Sequence, residues 1–168
     1  MTDARGWLER IRALPLPDRI RVMNVCGGHE RSVSLSGMRT ALPEHGWSTL
    51  SLQMPVLAKN AKYYDYLPVF PAAVPRIEAG IRHLRDQGVE RIVLIAHSCS
   101  VYMSMTWIEA MGDDSISAYV GIGMGATDYR QPMVDDWQFD RLDVPVLDIY
   151  GSEDYPAVHR KAPERLAG

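Results

Sequence analysis

The residues with the plainest capacity for chemistry lie in Arg91-Ile-Val-Leu-Ile-Ala-His-Ser-Cys-Ser-Val101, an apolar run that breaks into small-x-Ser-x-small before a helical pattern resumes. A serine on a sharp strand-to-helix turn presents its hydroxyl as a nucleophile. The residues two before and two after it must be small, so that strand and helix can pass closely. Ala96 and Ser100 meet that need without being the more usual glycines. Ser98 is therefore the candidate nucleophile, and the Cys99 backbone N–H, at the helix start, is a candidate oxyanion donor. The plainer alternative is a polar helix start with Ser98 or Ser100 as its cap. A second set of reactive types is Cys26, His29, His97 and Cys99, two thiols and two imidazoles of the kind that hold zinc tetrahedrally. The C-x-x-H and H-x-C spacings would have to meet in space to act so. Two buried thiols and two hydrogen-bonded histidines are the bland counterpart.

Composition narrows the classes. The chain has 168 residues, 46% hydrophobic and 23% charged, the balance of an ordinary globular protein and the length of one domain, 1–168. A net charge of −3 offers no basic surface for a phosphate backbone, so nucleic acid is not an expected partner. No apolar run approaches the roughly 18 residues of a membrane span, and the N-terminus lacks an apolar signal core, which points to the cytoplasm. Cys26 and Cys99 are too few for a disulfide framework. No cofactor is expected.

The elements that would position these residues alternate between strand and helix. Residues 1–19 carry Trp7, Leu8, Ile11 and Leu14 at helical spacing before Pro15 and Pro17. Residues 20–44 read as a strand to Cys26, a Gly27-Gly28-His29-Glu30 loop whose N–H groups could face an anion, and a helix ending at Pro43. Strands follow at Trp47–Leu52, around the Arg91 run, at Ile116–Ile122 and at Val144–Tyr150. Val56–Pro71 reads as a long irregular stretch, where Tyr64 and Tyr66 could form a substrate wall or pack over the sheet end. A helix is expected over Ala72–Gln87 with Pro75 in its first turn, and a short last helix over Pro156–Leu166, interrupted by Pro163. The expected fold is α/β: a three-layer sandwich with a mainly parallel five-stranded sheet in the order 2-1-3-4-5. That order brings the loop at Gly28 and His29 opposite Ser98, beyond the carboxyl ends of the strands. Gly28 becomes the second oxyanion donor, and His29 the histidine best placed to act as base. His97 adjoins the serine and should point elsewhere, His159 rides a helix leading away, and His45 and His83 lie at helix ends.

Two resemblances divide the chain. Gly46-Trp-Ser-Thr-Leu-Ser-Leu-Gln-Met-Pro-Val56, Arg91-Ile-Val-Leu-Ile-Ala-His-Ser98 and Val144-Pro-Val-Leu-Asp-Ile-Tyr-Gly-Ser-Glu-Asp154 resemble a bacterial family of α/β-hydrolase-like proteins of unassigned function, over about residues 45–157. The resemblance implies that Ser98 is an acyl nucleophile and Asp154 its acid, and that small ester or acyl compounds are the substrates. Asp148, inside the same strand, competes for the acid role, but a carboxylate buried there needs partners. The family's final strand and the loop bearing its general-base histidine have no counterpart here. The expected form is thus truncated and weak or inactive, with its last strand exposed to pair with a second copy. The runner-up is a non-catalytic domain that binds a small ligand or a metal. Arg21-Val-Met-Asn-Val-Cys-Gly-Gly-His-Glu-Arg-Ser32 and Gly37-Met-Arg-Thr-Ala-Leu-Pro-Glu44 look instead like the start of HypD-type hydrogenase maturation proteins, in which the cysteine matching Cys26 helps to hold iron. That family's later cysteine motifs are absent, so its activity is not expected to carry over. The changeover near Ala41–Glu44 makes a fused or designed chain one reading of the sequence.

Overall fold

The computed structural model describes residues 21–26, 33–58, 60–61, 63–124 and 142–166, with the backbone alone for 21–26, 33–36, 63–64 and 166. Strands β1 (Arg21–Cys26), β2 (Ser48–Gln53), β3 (Ile92–His97), β4 (Ala118–Ile122) and β5 (Val146–Ile149) run parallel in the order β2-β1-β3-β4-β5. Helices α1 (Val33–Ala41), α2 (Val74–Asp86), α3 (Cys99–Met111) and α4 (Pro156–Leu166) are joined by 3-10 segments at Leu42–His45 and Tyr63–Ala73. The class is α/β with a parallel sheet.

The centre of the sheet is β3, and its sequence says why. Ile92 through Ala96 are all buried, because a strand covered on both faces has no polar side. Ile92, Leu94 and Ala96 point into the larger core, among Trp107, Met103, Ile77, Leu84 and Tyr119 of α2, α3 and β4. Val93 and Ile95 point the other way, with Val120, and meet Met38 and Leu42 of α1 and its extension. Helices thus lie on both faces. Two polar pairs lie within this interior: Tyr119 and Ser104 share a hydroxyl contact of 2.8 Å, and Trp107 Nε1 donates to Glu78 at 2.6 Å.

Several boundaries differ from expectation, each for a local reason. The fifth strand starts at Val146 because Pro145 has no N–H, and the residues before it are tied elsewhere. The amides of Asp143 and Val144 donate to the buried Asp113 carboxylate at 2.8 and 3.1 Å. Tyr63–Ala73 is a 3-10 segment rather than an irregular stretch, and it displaces the start of the next helix from Ala72 to Val74. Its turns run through Pro68 and Pro71 because Tyr66 and Phe70 both enter the core. Helix α4 is not interrupted at Pro163. The buried Arg165 beyond that proline is anchored to β5, which holds the last turn in place. Among the described residues, no helix is long and apolar enough to cross a membrane.

Candidate functional site

Ser98 is the turn between β3 and α3, and its backbone lies at φ 53°, ψ −121°. It is the only non-glycine residue with positive φ among the described residues. Such a conformation costs about 1–3 kcal/mol and persists only where the surroundings over-determine it. Here they do: the Ser98 N–H donates to the Ile122 carbonyl at 3.0 Å, and the Ser98 carbonyl accepts from Val101 N–H at 2.9 Å. One end of the turn is thus tied to β4 and the other to α3. Ala96 and Ser100, both 0% exposed, supply the small residues on either side that the close passage demands. Ser98 makes no side-chain hydrogen bond to the start of α3, and Ser100 Oγ is buried with no partner among the described residues. The helix-cap alternative for these serines is therefore set aside. Their hydroxyls do not serve the N-terminus of α3, where backbone N–H groups are left over by the helix pattern itself.

Asp154 lies in the turn after β5, at the same carboxyl edge of the sheet as Ser98. Its Oδ2 passes 3.5 Å from where a β-carbon on Gly123 would stand, and Gly123 is the buried residue that follows β4. Gly123 has φ 63° and its N–H donates to the Ile149 carbonyl at 2.9 Å, so the backbone there needs glycine and stays low beneath the carboxylate. The other carboxylate oxygen accepts the Tyr155 N–H at 2.8 Å, which orients the group within its own turn. His97 pairs in register with Ile122 and lies close enough to feel this charge. Burial lowers its pKa below the ordinary histidine value and Asp154 partly offsets that, so His97 is neutral at pH 7.

The rival acid is occupied. Asp148 Oδ2 accepts from Arg165 Nη2 at 2.7 Å and from Nε at 3.0 Å, with both side chains almost wholly buried. Its carboxyl is pushed above the usual range by desolvation, against the lowering effect of Arg165. Among the histidines, His159 stands edge-on to Tyr150 at 5.2 Å, His83 is 2.6 Å from Gln87 Nε2, and His45 ends an exposed 3-10 turn. None of these contacts reaches Ser98. His29 and Gly28, expected as base and second oxyanion donor, lie outside the described residues, and Cys26 and Tyr64 are described by backbone alone. The pairing Val25↔Ala96 nonetheless ends β1 at the edge where the Ser98 turn begins. Of the two roles open to Tyr66, a substrate wall or packing over the sheet end, the structure has the packed one. Tyr66 is 8% exposed, and its hydroxyl accepts the Leu57 N–H at 3.3 Å, because a ring beside Phe70 gains more from burial than from solvent. For the quartet of Cys26, His29, His97 and Cys99, only His97 and Cys99 have described side chains, and no group of three or more His, Cys, Asp or Glu among the described residues could hold a metal.

Sequence reasoning missed Arg165, although Asp148 carried the signal: a carboxylate inside an apolar strand demands a cation, and α4 holds several.

Comparison with known protein families found no match to the chain, and none was found among curated proteins. Among solved structures, the fold is similar to the crystal structure of an uncharacterized protein from Bacillus cereus ATCC 10987, with a TM-score of 0.61 and 9% identity. The match covers 97% of this chain and 55% of that one, so the chain spans about half the length of that protein.

Proposed function

We propose that the chain is an α/β-hydrolase-like domain, its three-layer, five-stranded arrangement carrying a serine ester or acyl hydrolase site with Ser98 as nucleophile and Asp154 as acid. The observation that supports this most is the backbone of Ser98. A strained non-glycine turn whose hydroxyl makes no cap bond to its helix among the described residues leaves that hydroxyl available for chemistry. In this reading Ser98 Oγ attacks the acyl carbon while a base takes its proton, and the carbonyl oxygen becomes an oxyanion facing the Cys99 and Gly28 N–H groups. Collapse of the tetrahedral adduct breaks the ester bond, and the leaving alkoxide takes the proton from the base. Water then hydrolyses the acyl-serine by the same steps. His29 is the base this reading assigns, since His159 is engaged with Tyr150 and His97 with the field of Asp154. The substrates are small esters or acyl compounds met in the cytoplasm.

Fluorophosphonate labelling read by intact mass tests the proposal. Wild type takes one label and hydrolyses a short-chain p-nitrophenyl ester, Ser98→Ala does neither, and His29→Ala slows both. Equal label uptake by Ser98→Ala, or no labelling of folded wild type, overturns it. The same reading has β5, last in the strand order and bearing the exposed Ile149, pairing with a second copy. Sedimentation would then give a dimer at high concentration, and a monomer throughout would remove that part.

A further inference from the structure

Helix α4 is held to the sheet in an unusual way. Among its described side chains the buried apolar ones are Ala157, Val158 and Ala162, all small, and the large buried group is the arginine Arg165. That guanidinium grips Asp148 on β5 with two donors and reaches back to the Val158 carbonyl at 3.4 Å. The two residues bracket the turn that carries Asp154: Asp148 stands before it in the chain and Arg165 at the far end of the helix that follows. Tyr150 and His159, ring against ring, form an inner second link across the same turn. The outer pair is incompletely satisfied, since Asp148 Oδ1 and Arg165 Nη1 are buried without partners among the described residues. A buried ion pair of that kind is a poor source of stability compared with apolar side chains of the same size. Its better-attested use is to select one arrangement over others.

We infer that the Asp148–Arg165 clasp is a positioning device for Asp154, setting the angle at which α4 leaves the turn and so the place of the carboxylate above Gly123. This rests on the proposed role of Asp154 for its catalytic consequence, but not for its structural one. Asp148 and Arg165 are positioning residues. They touch neither Ser98 nor the site edge, and they act only through the turn they close.

The test uses the full chain with Arg165→Met, Arg165→Lys and the double variant Asp148→Asn with Arg165→Met, which removes both charges and so guards against an unfolded single variant. Three readings are taken: hydrogen exchange of the amides of residues 150–155, the titration of His97 by NMR, and the rate of fluorophosphonate labelling, each also in an Asp154→Asn background. In Arg165→Met and in the double variant, the 150–155 amides exchange at least about tenfold faster than the general loss of stability, read from the amides of β3 and α3, accounts for. His97 titrates at lower pH, as it does in Asp154→Asn, because the carboxylate that raises its pKa has moved. Labelling slows by about a hundredfold, the scale of an ångström of misplacement, and Arg165→Lys recovers much of it. In the Asp154→Asn background, removing Arg165 slows labelling no further and moves the His97 titration no further, while the turn amides still exchange faster. Turn exchange that rises only in step with β3 and α3, an unchanged His97 titration, or an undiminished Arg165 effect on labelling without Asp154 would each overturn the inference. If wild type takes no label, the hydrolase reading fails alone, and exchange and the His97 titration still decide the clasp.

Discussion

The two shoulders of the candidate site are built by opposite means. The Ser98 shoulder, between β3 and α3, is the best-packed part of the molecule: Ile92, Leu94 and Ala96 lie beneath it, and Trp107 and Met103 anchor the helix that leaves it. The Asp154 shoulder, between β5 and α4, lies at the end of the strand order with Tyr150 and Tyr155 partly or largely in solvent, and its helix joins small buried side chains to the buried Asp148–Arg165 ion pair. The contrast is instructive because the two turns have different work. A strained turn has to be clamped from all sides, and dense apolar packing does that. On the proposed reading the Asp154 turn, with no positive-φ residue but Gly123 at its edge, has only to place one carboxylate, a task for which a directional charged contact would suffice with few atoms.

The largest effects should come from removing each shoulder's anchor. Trp107→Ala is expected to cost about 3–5 kcal/mol, since it empties the core under α3 and strands Glu78. Arg165→Met is expected to cost about 3–5 kcal/mol as well, by leaving the Asp148 carboxylate buried without its cation. Denaturant melts separate the two causes. Replacing Asp148 by Leu restores most of the loss in the Arg165→Met protein, whereas no second change at the surface of α3 repairs Trp107→Ala. A failure of that rescue would mean that α4 is held by something other than the clasp.

A middle-sized effect tests the clamp on Ser98. Ser98→Gly relieves the positive φ and is expected to be more stable than Ser98→Ala by about 1 kcal/mol, the strain cost less the added chain entropy of glycine. Equal midpoints for the two variants would mean that the turn is not strained.

The smallest effects are those of pH. The His97 pKa is lowered on folding, so between that value and 6.5 the unfolded chain binds more protons, and stability rises with pH through this window. His97→Gln should flatten the rise. The Asp148 pKa is raised, so the folded chain binds more protons between 3.8 and that raised value, and stability there falls as pH rises. Asp148→Asn should remove the fall. Chemical melts across pH 3.5 to 7.5 check both signs.

Much of the site edge was legible because it rests on local rules. A continuous apolar run followed by small-x-Ser-x-small can hardly be anything but a buried strand turning sharply into a helix, and the backbone at Ser98 has that form. The tyrosines of the Tyr63–Ala73 segment were not legible in the same way. Tyr66 has a hydroxyl that suits a binding wall and a ring that suits a core, and only the position of Leu57 and Phe70 around it decides for the core. Asp148 announced that it needed a partner without saying which.

By itself the sequence determined the α/β class with its parallel sheet, the sharp turn at Ser98 and the breaks at proline and glycine, because hydrophobic periodicity and backbone sterics act within a few residues of one another. Only the tertiary structure decided that Arg165 is the partner of Asp148 and that Tyr66 belongs to the core. Those outcomes depend on which of several chemically equivalent charges and rings arrive at one place in space. Chain neighbours carry no record of that.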